Sequence, residues 1–68
     1  MTGTIDKDYN LIWFTEACLS NALRLETSIA DAEREGDGEL AAQFRKAQAD
    51  SRKGAELGKS MLRSRIAA

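Results

Sequence analysis

The chain has 68 residues, a formal net charge of −1 and 43% apolar residues, with one cysteine, no histidine and no proline. So short a chain forms one domain at most and cannot build a large core, so its stability must come from idealised packing or from association. One cysteine excludes an internal disulfide, and the missing histidine removes the commonest general base and metal ligand.

The richness in Ala, Leu, Glu, Arg and Lys argues for helix throughout. Met1 to Thr4 has nothing to pack against and is expected to fray. Thr4 or Asp6 can cap a first helix, expected from about Lys7 to Glu35. One stripe on it reads Leu11, Thr15, Cys18, Ala22, Leu25, Ile29, Ala32, at spacings of three and four. A second, adjacent stripe reads Ile12, Leu19, Leu23, Ala30, with Glu16 and Glu26 set within it. Cys18 falls among apolar residues and reads as a small core filler.

Leu11-Ile12-Trp13-Phe14 is the most informative stretch. Four consecutive apolar residues at about 100° each sweep most of the way round a helix, and one partner helix cannot cover them all. Burying a large apolar side chain is worth roughly 1.5–3 kcal/mol. This belt, with Leu62 and Ile66 from the far end of the chain, is therefore the expected interface with another chain. Trp13→Glu is expected to lower the mass of the assembly or to prevent folding.

Gly36-Asp37-Gly38 divides the chain into two halves of nearly equal length. Gly36 suits the left-handed residue that closes a helix. Asp37 suits the N-cap of the next, accepting from the free N–H groups of residues 39 and 40. Glu39 adds favourable charge in the first turn. A connection this short makes the helices antiparallel.

The second helix is expected over about residues 38–66. Its stripe reads Leu40, Phe44, Ala47, Ser51, Ala55, Gly58, Leu62, Ile66, with Gly54 beside it. Folding about the turn is expected to set Leu19 by Ala55, Leu23 by Ser51 and Ile12 by Leu62, so that large residues fill the space opposite small ones. Asp6 and Asp8 then approach Arg63 and Arg65.

The near-neutral charge hides an asymmetry. Up to Gly38 there are eight acids and three bases; after it there are three acids and seven bases. A hairpin neutralises the two halves internally. Nucleic-acid binding through Arg45, Lys46, Arg52, Lys53 and Lys59 is disfavoured, because stacking aromatics are missing beside them: Phe44 is the only aromatic in the second half. No run approaches the ~18 apolar residues of a membrane helix. There is no leader pattern, no phosphate-binding loop and no nucleophile elbow.

An inward Glu26, the turn Gly36-Asp37-Gly38-Glu39-Leu40-Ala41, Phe44-Arg45 and Asp50-Ser51-Arg52-Lys53 together resemble half of a ferritin-like bundle. The likeness covers residues 9–66. It is to single-hairpin ferritin-like proteins, such as encapsulated ferritins, that pair to complete four helices. The metal signature of that family is Glu-x-x-His, and the matching stretch here is Asp50-x-x-Lys53. A protonated lysine repels metal. The resemblance therefore implies the scaffold without the di-iron centre, and a structural cluster of Glu26, Asp50 and Lys53.

The expected fold is all-α: an antiparallel two-helix hairpin that dimerises into a four-helix bundle. The expected function is a non-enzymatic, cytoplasmic assembly or interaction protein without cofactor. Its partner is a second copy or another protein, and neither a membrane nor nucleic acid. The alternative is a carboxylate metal-binding protein that shares Glu16, Glu26 and Asp50 across a symmetric interface.

Overall fold

The computed structural model describes the backbone of residues 3–67 and the side chains of residues 8–66. Two helices make up the fold: α1, Gly3–Arg34, and α2, Gly38–Ala67. They pack against each other as a hairpin 49 × 23 × 13 Å in extent, a single layer of helices. Helix α1 starts at Gly3, so Thr4 and Asp6 lie inside it and do not cap it. Nothing in Gly3–Lys7 breaks a helix, and Leu11 and Thr15 hold its next turns against α2. The expected fraying of Met1–Thr4 falls partly on residues outside the described ones.

Local chemistry sets the turn. Gly36 has φ +76°. Asp37 N–H donates to Ala32 C=O at 2.9 Å and Gly36 N–H to Glu33 C=O at 3.0 Å, the paired bonds that satisfy the last carbonyls of a helix ended by a left-handed glycine. Asp37 then turns to the next helix: its Oδ1 accepts from Leu40 N–H at 3.0 Å. A Cβ at position 36 would meet nothing within 4 Å, so only the backbone conformation penalises a larger residue. Gly36→Ala should therefore cost about 1–2 kcal/mol in denaturant unfolding, the ordinary penalty of a left-handed L-residue.

Contact between the helices runs along a narrow seam. On α1 it follows the first stripe: Thr15, Ala22 and Ala32 are buried, and Leu11, Cys18, Leu25 and Ile29 are half-buried. On α2 the seam is Ala41, Phe44, Gln48, Ser51, Ala55, Gly58 and Leu62. This corrects the expected stripe at three places, one of them Ile66, which is 82% exposed. Ala41 is completely buried and Leu40 is 42% exposed; Gln48 is buried where Ala47 is exposed. Two close contacts explain the choice. The backbones approach most nearly where α2 is glycine: a Cβ on Gly54 would lie 2.8 Å from Cys18 Sγ, and one on Gly58 would lie 3.0 Å from Thr15 Cβ. At those two positions the helices leave room only for small partners, Cys18 and Thr15, and the larger seam residues Leu11, Leu25, Ile29, Phe44 and Leu62 stay half-buried elsewhere along it.

The expected filling of the seam by Leu19 and Leu23 is corrected for the same reason. Ser51, expected beside Leu23, is instead bonded by Asn21 Nδ2 at 2.8 Å. Leu23 is 67% exposed. Polar groups fix the register. Gln48 Nε2 donates to Ala22 C=O at 2.9 Å, a buried bond that ties the middle of α2 to the backbone of α1. Thr15 Oγ1 donates to Leu11 C=O at 2.8 Å, so its hydroxyl is satisfied within the seam.

Candidate assembly surface

Among the described residues the buried apolar set is Ala22, Ala32, Ala41 and Ala55, and no large side chain is fully buried. The large apolar residues form two separate surfaces. On α1, Ile12, Leu19 and Leu23 are exposed, and with Glu16, Glu26 and Ala30 they recur at spacings of three and four. That stripe lies about a quarter-turn from the seam at ~100° per residue. Phe14 lies on the other side of α1, its Cζ 3.4 Å from where a Cβ of Gly54 would be. Leu57 and Met61 follow Gly54 at helical spacing and are exposed on that side. A single layer of helices thus carries apolar side chains on both faces.

The expected interface residues fall in different places. Leu11 and Leu62 are half-buried in the seam, Phe14 leans over Gly54, and Ile12 belongs to the open stripe. Trp13 is 61% exposed on the side of α1 turned away from α2, and Ile66 is 82% exposed near the end of the chain. Leu19 and Leu23 were assigned to the seam by spacing, yet they make the longer open surface. Residue volume was the available signal: a seam with two glycines cannot hold two stripes of leucine.

Charge crosses the seam in pairs. Arg52 reaches Glu26 at 3.4 Å, Arg45 pairs with Glu33, and Arg65 reaches Asp8 at 3.4 Å, as the acid–base matching of the chain ends led us to expect. The Asp6–Arg63 pairing lies outside the described side chains. The pairs are about half exposed, so each contributes roughly 0–1 kcal/mol. Their larger effect is to neutralise acidic α1 against basic α2.

Among the described residues the carboxylates do not converge within one chain. Glu26 has Arg52 as its cationic neighbour, and Glu16 accepts from Ser20 Oγ at 2.6 Å. Among the described residues no group of three or more Cys, Asp or Glu is placed to hold a metal ion. Glu16, Glu26 and Asp50 could share a metal only with help from a second chain. Two depressions, beside Ser60, Met61, Ser64 and Arg65 and beside Asp37, Glu39, Leu40 and Gln43, are open to solvent, not enclosed. No helix is long and apolar enough to cross a membrane among the described residues. No family model, no curated protein and no solved structure matches the chain.

Proposed function

We propose that this chain is a non-enzymatic assembly protein: a ferritin-like hairpin scaffold that pairs with a second copy to complete a four-helix bundle. One observation carries the reading. Among the described residues the buried apolar side chains are all alanines, and Ile12, Leu19, Leu23, Leu57 and Met61 are exposed. A helix in a four-helix bundle has two neighbours about a quarter-turn apart, and α1 carries two apolar stripes in that relation, one of them without a neighbour. Covering large side chains at roughly 1.5–3 kcal/mol each is the stabilisation that an alanine seam does not supply.

A native mass spectrum of the purified protein tests this, recorded with and without added iron. The expected result is an even-numbered oligomer whose mass iron does not change. A monomer at micromolar concentration would refute the reading. An oligomer with discrete metal adducts would replace it with the carboxylate-site reading, and loss of the adducts in Glu26→Ala would assign the site.

A further inference from the structure

The assembly reading leaves open how two copies meet. Building on it, we propose that a second copy covers the α1 stripe with its own α2, the two hairpins sharing an axis parallel to their helices and both turns lying at one end.

The face involved is split lengthwise. Glu26 belongs to the α1 stripe and pairs with Arg52, so Arg52 lies on the stripe's side of the hairpin. Arg45, Arg52, Lys59 and Arg63 recur at spacings of seven, seven and four, which keeps them in one row along α2. Arg45 pairs with Glu33 across the same side. One half of the face is therefore apolar and acidic (Ile12, Glu16, Leu19, Leu23, Glu26), and the other half is net basic, with Glu56 in the same row and paired with Lys59.

Two identical faces related by a twofold axis can meet in two ways. An axis across the helices sets α1 on α1 and α2 on α2. Glu16 and Glu26 then face acids, and the row of arginines faces itself. An axis along the helices sets the acidic row of each copy on the basic row of the other. Facing like charges are disfavoured and facing opposite charges select the partner, so the second arrangement is the one this charge pattern fits. It also covers the leucines. The aliphatic stem of Arg52 can lie over Leu19 and Leu23 while its charged end stays at the rim, and Ala49 leaves space beside it. Because Thr15 lies against Gly58 within the hairpin, that arrangement brings the partner's α2 past Glu16 near Lys59.

The wild-type protein suffices for the test. Unlabelled and nitrogen-15-labelled chains are mixed, allowed to exchange and treated with a water-soluble carbodiimide, which joins carboxylates to amines in contact. The digest is read by mass spectrometry. Isotope-mixed Glu16–Lys59 peptides are the expected product. Isotope-mixed Glu56–Lys59 peptides in their place would show α2 on α2 and overturn the arrangement, as would a dimer that gives neither. A monomeric native mass at the same concentration would overturn the assembly reading together with this one.

Discussion

Gly58→Ala should destabilise the hairpin by about 1–2 kcal/mol, although alanine is the better helix former. Exchanging glycine for alanine inside a helix is worth about 1 kcal/mol in propensity. Here the added methyl would lie 3.0 Å from Thr15 Cβ and 3.3 Å from its Cγ2, besides meeting its hydroxyl. A rotamer change cannot move a Cβ, and a threonine inside a helix has few rotamers to choose from. Overpacking of this kind costs typically about 1–3 kcal/mol, which outweighs the gain. Gly54→Ala is the control. Its nearest neighbour is the tip of Cys18, which can rotate away, so propensity and crowding should cancel to within about 0.5 kcal/mol. Denaturant unfolding at one protein concentration gives both values. Thr15→Gly combined with Gly58→Ala should recover part of the loss, with a coupling of about 0.5–3 kcal/mol. A Gly58→Ala protein as stable as wild type would mean that the helices do not approach as closely as described.

The second large effect concerns association. Leu19→Glu with Leu23→Glu should convert the assembly to its smaller species and leave the seam chemistry untouched, since neither residue lies in the seam. If each leucine is covered in the assembly at roughly 1.5–3 kcal/mol, a pair of substituted chains loses four of them, which weakens association by about four to nine powers of ten. Sedimentation over a range of concentrations measures this. An unchanged distribution would exclude the α1 stripe as the interface. Trp13→Glu, about 100° further round the helix, separates two extents of the surface. Loss of mass there too would extend the interface to the whole Leu11–Phe14 belt.

These residues also show which parts of the molecule were legible beforehand. The turn was, because Gly36 and Asp37 act on their own backbone neighbours and need no partner. The α1 seam was, because Leu11, Leu25 and Ile29 mark one face by size. The α2 seam was legible only in part. A helix of Ala, Gly and Ser has few large residues to show which way it faces, and taking Leu40 and Ala47 in place of Ala41 and Gln48 turns it by about 100°. The burial of Gln48 depends on a carbonyl of the other helix, at Ala22, which no local pattern contains. Leu19 and Leu23 were displaced from the seam by the closeness of the two backbones, a tertiary fact that composition only hints at. The charge asymmetry was plain from the sequence; that Glu26 and Arg52 share a side became visible only with the helices paired.

A layer 13 Å thick has little interior to unfold. Denaturant sensitivity scales with the surface that unfolding exposes, and a single hairpin with an alanine seam exposes little. If pairing supplies most of the buried area, folding and association become one equilibrium, and apparent stability rises with the amount of protein present. The abundance of the chain would then govern its folded fraction, much as temperature does for a protein with a core of its own.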